Sequence, residues 1–245
     1  MATCGRRNKI QLQDPALLPL SKHAIGQFLY YAGVAAFAIY AIQQVRKPDK
    51  WIGRFFLWIM NISHSSLTDW GLQHVQIEEN FTILDVGCGG GRTIQKLAAL
   101  APKGKVYGVD YADGSVAASR ARNTKLIQAD RVEIKQGSVS QLPFPDNQFD
   151  LVTAVETQYY WPDLVKDMQE ILRVLKPGGT LLVIAESYKK GAYNAIQRPV
   201  MKLLNSSNLG LDDHRQLFSA AGYTEVQVFE ERTKGWFCGT GKKPS

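Results

Sequence analysis

From residue 81 onward the chain alternates short β-rich runs with helical stretches, and this alternation constrains the fold more than any other feature. FTILDVG (81–87), KVYGVD (105–110), VEIKQG (132–137), FDLVTAV (149–155) and TLLVIAES (180–187) read as strands. TIQKLAALA (93–101), SVAASRARNTKLI (115–127) and DLVKDMQEILRVL (163–175) read as helices after the first, second and fourth of them. A further helix, DHRQLFSAAG (213–222), precedes two closing strands, EVQVFEE (225–231) and GWFCGTG (235–241). Strands separated by helices of about 10–15 residues build parallel βαβ units. The expected fold is therefore α/β: a doubly wound, mostly parallel seven-stranded sheet with helices on both faces, plus an N-terminal helical extension. Such a sheet takes its ligand at the carboxyl ends of its strands, near the switch point.

The chemically unusual residues should then follow strands, and they do. Behind the first strand comes Asp85-Val86-Gly87-Cys88-Gly89-Gly90-Gly91-Arg92. Glycines let a backbone turn tightly and approach a ligand without a Cβ in the way. The turn opens a helix whose free N–H groups can meet a polar or negative group. Behind the second strand comes Asp110, a carboxylate able to accept from both hydroxyls of a ribose. The pattern is D-x-G-x-G-x-G rather than the nicotinamide fingerprint G-x-G-x-x-G: counting from Gly87, the third glycine would fall on Arg92, and counting from Gly89 on Ile94. An acid beside the turn repels a pyrophosphate and suits an ammonium group. A ribose plus a cationic amine and no phosphate describes S-adenosylmethionine.

On these residues the chain resembles the Rossmann-like methyltransferases, in particular the small-molecule branch that includes the ubiquinone/menaquinone-biosynthesis type. ILDVGCGGGRT is similar to the family's first motif and VYGVDYA to its second. LPFPDNQFDLV leads into the fourth strand, and LKPGGTLLV is similar to the turn and start of the fifth. The resemblance spans about residues 64–240. It implies that Asp85, Gly87, Cys88, Gly89 and Gly91 form the methionine-binding turn, with Cys88 there as packing rather than as a nucleophile. It implies that Asp110 binds the ribose and Tyr111 lies against the adenine. Gly137, Ser138 and Val139 would follow the third strand beside the adenine amine, with Ser138 standing where members often carry Asp. Glu156, after the fourth strand, would face the cofactor.

Methyl transfer of this kind is an in-line displacement, for which positioning alone supplies about 7–11 kcal/mol. A dedicated base is optional, and the candidates are His64, Tyr159 and Tyr160. Enzymes that methylate base amines resemble the family but carry an Asn/Asp-Pro-Pro-aromatic turn after the fourth strand. Here that place reads Val155-Glu156-Thr157-Gln158, which argues against nucleic acid. The aromatics point to a small, planar or apolar acceptor. The rival reading is a non-catalytic cofactor-binding module that acts on a membrane partner.

Charge divides the chain. Residues 1–54 hold eight Lys and Arg against two Asp, six of the seven net positive charges. The near-neutral remainder lacks the basic concentration of a nucleic-acid-binding body. Residues 24–45 carry no charge, and as a helix they would span ~33 Å, about a bilayer core. A membrane anchor, a buried or partner-binding helix and a signal segment all fit that stretch, and WIGRFFLWIM (51–60) suits either a membrane interface or a helix capping the site. With Cys4, Cys88 and Cys238 in no pairing rhythm, neither a disulfide framework nor a metal site is expected. The division is an extension over 1–60 with its hydrophobic helix near 24–45, and a methyltransferase domain over 61–245. The domain is expected on the cytoplasmic side, where its cofactor is made.

Overall fold

The computed structural model describes residues 65–186 and 209–245. The expectations for residues 24–45 and 51–60 lie outside the described residues. Within them, seven strands form one sheet: β1 (Thr82–Val86), β2 (Lys105–Asp110), β3 (Val132–Gln136), β4 (Phe149–Val155), β5 (Leu175–Glu186), β6 (Thr224–Glu231) and β7 (Trp236–Lys242). The helices are α1 (Ser65–Leu72), α2 (Arg92–Leu100), α3 (Asp113–Arg122), α4 (Thr124–Gln128), α5 (Leu164–Val174) and α6 (Leu211–Ala220). The strand order is β3-β2-β1-β4-β5-β7-β6. β1 to β5 pair in parallel, and β7 runs antiparallel between β5 and β6. The chain reverses direction across the sheet between β1 and β4, which opens a crevice at their carboxyl ends.

Both faces of the sheet are covered, which is why its strands read as near-continuous apolar runs. Successive side chains point to opposite faces. Ile83, Leu182 and Ile184 join Leu67 of α1, Ile94 and Leu97 of α2 and Val116 of α3 on one side. Leu84, Val86, Leu181 and Val183 join Met168 and Ile171 of α5 and Phe218 of α6 on the other. Fully burying one such aliphatic or aromatic side chain contributes roughly 1.5–3 kcal/mol. Among the described residues no helix is long and apolar enough to cross a membrane.

The structure departs from the sequence reading at two elements. The helix expected over 115–127 breaks at Asn123, whose φ is −100° and whose buried side-chain amide donates to the carbonyls of Ser119 and Gly91 at 2.9 and 3.0 Å. α3 and α4 are therefore separate. The fifth strand begins at Leu175 rather than Thr180, because the Lys176–Gly179 turn is a bulge inside it. Phe149 pairs with Leu175, while Leu151 pairs with Thr180. Gly178 takes a φ of +75°, and its N–H donates to the carbonyl of Lys243 at 2.9 Å.

The bulge sits over a well-packed aromatic group. Phe149 is fully buried, edge-on to Phe144 at 5.1 Å and to Tyr107 at 5.5 Å between ring centroids. Phe149→Ala should cost about 3–5 kcal/mol. Urea unfolding should show a lower midpoint with an unchanged slope.

Candidate cofactor site

The glycine turn between β1 and α2 is pinned to the end of β2. The N–H groups of Gly87 and Cys88 both donate to the carbonyl of Val109, at 2.8 and 3.1 Å. The next residue, Asp110, accepts from Gly89 N with one carboxylate oxygen and from Ala112 N with the other, each at 2.9 Å. Arg122 Nε donates to the carbonyl of Gly90 at 2.8 Å. Gly87 has a φ of +71°, and a Cβ there would strike the Thr157 side chain. Gly91 has a φ of +75° and lies against Ser119 and Asn123, with no room for a Cβ.

Above this turn, at the carboxyl ends of β1, β2 and β4, lies a cavity of about 340 Å³. Small-ligand sites start at roughly 300 Å³. Asp85, Gly87, Cys88, Gly89, Asp110, Tyr111, Gly137, Ser138, Val139, Glu156 and Tyr160 all border it, brought together from four segments. Two of the residues singled out from sequence are not on its wall. Gly91 is the packing point between α2 and α3, and Gly90 takes its place at the surface of the cavity. Tyr159 turns away, and its hydroxyl donates to the Glu186 carbonyl at 2.8 Å. His64 lies outside the described residues. Trp161, expected with Tyr160 as a pocket wall, borders the cavity, whereas the sequence reading missed Ser65 and Thr68 of α1, Lys96 of α2, Thr157 and Pro162, which also line it. It also passed over Arg92 and Thr93, although both stand inside the glycine motif. Lys96 Nζ holds α1 in place through Ser65 O at 2.7 Å, Ser65 Oγ at 2.9 Å and Asp69 at 2.5 Å.

The cavity is lined by carboxyls that resist ionisation. Asp85 is 2% exposed, and burial lifts its pKa to about 7, helped by the charge of Asp110 and opposed by a 2.7 Å hydrogen bond from Thr153 Oγ1. Asp110 is raised by burial and held back by its backbone donors. Glu156 is pushed up to about 8, first by burial and also by the charge of Glu186. Its backbone has a φ of +55°, uncommon for a non-glycine residue. Its Oε1 accepts from Glu186 N at 2.6 Å and from Tyr159 OH at 3.3 Å. Cys88 Sγ is buried 3.8 Å from Ser119 Oγ, and burial drives its thiol well above the ordinary range, so it is not a thiolate nucleophile. Tyr111, by contrast, is 43% exposed at the cavity rim, where a flat ring can be covered by a ligand.

A glycine cradle without a Cβ, two buried carboxylates and no phosphate-binding lysine at the turn suit a cationic nucleoside. The fold and wall thus define an α/β protein that holds such a cofactor at the carboxyl ends of β1 and β2. A family model described as a methyltransferase domain matches residues 84–183. The chain is 32% identical over 168 residues to a demethylmenaquinone methyltransferase of Listeria monocytogenes, covering 65% of each chain. It is 30% identical over 180 residues to the demethylmenaquinone methyltransferase of Geobacillus stearothermophilus, covering 64% of this chain and 76% of that one. The chain thus spans just under two thirds of the Listeria relative's length. A crystal structure of a SAM-dependent methyltransferase from Aquifex aeolicus shares the fold, with a TM-score of 0.60 at 23% identity over 72% of this chain and 89% of that one. The chain belongs to the class I S-adenosylmethionine-dependent methyltransferases and is similar to the menaquinone-biosynthesis enzymes among them. Its cofactor is S-adenosylmethionine.

The raised carboxyls set a pH dependence. Asp85 and Glu156 hold protons in the folded state at pH values where the unfolded chain has released them, because their folded values of about 7 and 8 exceed the ordinary 3.8 and 4.5. Their contribution to stability is therefore full below the ordinary carboxyl range and is lost as pH rises through about 7 to 8. The ligand-free protein should melt at a lower temperature at pH 9 than at pH 6 in scanning calorimetry. Asp85→Asn combined with Glu156→Gln should flatten that slope.

Proposed function

We propose that this chain transfers the methyl group of S-adenosylmethionine to a small, flat, apolar acceptor of the kind named for its relatives, demethylmenaquinone. One observation carries the reading: a single cavity joins the glycine turn and the carboxyls of Asp85 and Asp110 to an aromatic wall of Tyr160 and Trp161. The turn at Gly87, Cys88 and Gly89 would hold the methionine part, with Asp85 opposite its cationic side. Asp110 would accept from the ribose hydroxyls by giving up its bonds from the Ser115 side chain and the Tyr111 backbone, while Gly89 N and Ala112 N keep the carboxylate oriented. Tyr111 would cover the adenine, and Gly137, Ser138 and Val139 its edge. The bound cofactor supplies a methyl group already activated by a sulfonium charge. The protein then orients the acceptor in line and excludes water, effects that together supply about 7–11 kcal/mol. An electrophilic methyl needs an electron-rich partner, so the reduced, hydroquinone form of the acceptor is the one that reacts. Tyr160 and Trp161 offer it flat apolar surface.

Calorimetry should find binding of S-adenosylmethionine and its demethylated product, and none of NAD. Asp110→Ala should weaken that binding about tenfold or more, since a hydrogen bond to a charged group contributes ~1.5–3 kcal/mol. Incubation with methyl-labelled cofactor and a reduced, short-chain demethylated naphthoquinone should give a labelled ring-methylated product. Intact cofactor binding without transfer to this acceptor would leave the fold assignment standing and remove the acceptor.

The same reading places the substrate in a lipid phase, which gives the N-terminal segment a purpose. The division proposed is an extension over 1–60 and a catalytic domain over 61–245, with residues 24–45 associating with the membrane on its cytoplasmic side. Basic flanks beside an apolar stretch favour anionic lipid surfaces by ~1 kcal/mol per basic residue. A chain beginning at Trp51 should keep its cofactor affinity, because the glycine turn and Asp110 lie beyond residue 80. It should lose membrane association in fractionation with salt and alkaline-carbonate washes. Full-length protein found wholly in the supernatant, or a shortened chain that unfolds, would identify residues 24–45 as a packed helix instead.

A further inference from the structure

The carboxyl end of β4 holds a carboxyl that the family resemblance turns toward the cofactor but to which the contacts proposed above for the methionine, ribose and adenine assign no role. Glu156 borders the cavity on the side opposite the glycine turn's contact with β2, next to Thr157, Tyr160 and Trp161. Its backbone sits in the left-handed region, at φ +55°, a strained conformation for a non-glycine residue of the kind that clusters at functional sites. Glu186 N at the end of β5 donates to its Oε1 at 2.6 Å. Tyr159 OH of the 3-10 turn Gln158–Tyr160 shares its one proton between the Glu186 carbonyl at 2.8 Å and Glu156 Oε1 at 3.3 Å, which seats the carboxyl against the same strand end. The carboxyl is thus oriented by a rigid frame at the wall proposed for the acceptor.

We infer that Glu156 is the general base that removes the acceptor's hydroxyl proton as the methyl group is transferred, with Tyr159 and the end of β5 acting as positioning groups. This rests on the acceptor reading above. The step balances as follows. A Glu156 oxygen takes the phenolic proton, and the ring carbon made nucleophilic by that loss bonds to the methyl carbon. The electron pair of the breaking carbon–sulfur bond stays on sulfur. The ring then sheds its own C–H proton and recovers one on oxygen, so one proton is released per transfer.

A base must be ionised to act, and burial keeps Glu156 protonated until about pH 8. Among the described residues, the ionisable groups around it are Glu186, Tyr159 and Tyr160, with Asp85, Asp110, Tyr111, Arg92 and Lys96 elsewhere on the cavity wall. Glu186 opposes its ionisation; a bound cation favours it. Proton transfer by a positioned group contributes about 10²–10⁴-fold.

The test uses the full-length protein, methyl-labelled S-adenosylmethionine and the reduced short-chain demethylated naphthoquinone. Wild-type kcat should rise with pH through a midpoint at or below about 8 and level off above it. Glu156→Gln should lower kcat about a hundredfold or more while cofactor affinity in calorimetry holds, and its residual rate should lack that acidic limb. Glu156→Asp should restore the limb and part of the rate. Independently of turnover, the infrared difference between wild type and Glu156→Gln should contain a protonated-carboxyl band that fades as pH passes about 8, while the absorption of Asp85, which fades near 7, cancels. Persistence of the acidic limb in Glu156→Gln, loss of cofactor affinity in step with kcat, or absence of that band from the difference spectrum would each overturn the assignment while leaving the acceptor reading intact. Cofactor binding with no transfer by the wild-type protein would overturn both.

Discussion

The end of β2 governs the site. One carbonyl, that of Val109, accepts from two consecutive N–H groups of the glycine turn, and the carboxylate that follows it bridges the turn to the start of α3. A loop of four near-consecutive glycines would otherwise be among the most expensive segments to order, because glycine loses more backbone freedom than any other residue. Here the ordering is done within the protein, by bonds that exist without a ligand. Asp110 is consequently both a buttress and a prospective ligand group, and its orientation is settled before any hydroxyl meets it. The closeness of Gly91 to Ser119 and Asn123 completes the arrangement by locking α2 against α3.

The electrostatics follow from where that turn lies. Asp85, Asp110 and Glu156 all border one small cavity, and burial raises all three. Asp85 and Glu156 hold their protons up to about pH 7 and 8, so the wall favours a ligand that brings positive charge and disfavours one that brings phosphate. The discrimination between a sulfonium cofactor and a dinucleotide is therefore written in the walls as well as in glycine spacing. Arg92 and Lys96 temper the field on the opposite wall, and Lys96 is largely occupied with holding α1.

Buried parallel strands announce themselves, since a strand packed on both faces is a continuous apolar run, and β1, β2 and β4 were legible within a few residues of their ends for that reason. The glycine turn and Asp110 were legible because their chemistry is local to strand ends. What escaped was set by contacts far apart in sequence. The break at Asn123 depends on a hydrogen bond to Gly91, 32 residues earlier. The early start of β5 depends on pairing with Phe149 and on the bond between Gly178 and Lys243. Tyr159 and Tyr160 are neighbours with equal claims in sequence, and only the 3-10 turn decides that one faces the cavity while the other braces β5. Gly90 and Gly91 differ in the same way, one at the cavity wall and the other against α3.

The position of β7 carries a consequence for how the chain is made. This strand follows every other in sequence yet occupies an interior place, paired with β5 on one side and β6 on the other. Until it emerges from the ribosome, β5 presents an open hydrogen-bonding edge and β6 has no neighbour. Phe237 and Cys238, both fully enclosed in the finished protein, are then still missing from the two apolar layers. The parallel sheet then ends on an exposed β5, a geometry that invites pairing with foreign strands. The addition of β7 closes that edge, brings β6 into the sheet and joins both faces of the core at once.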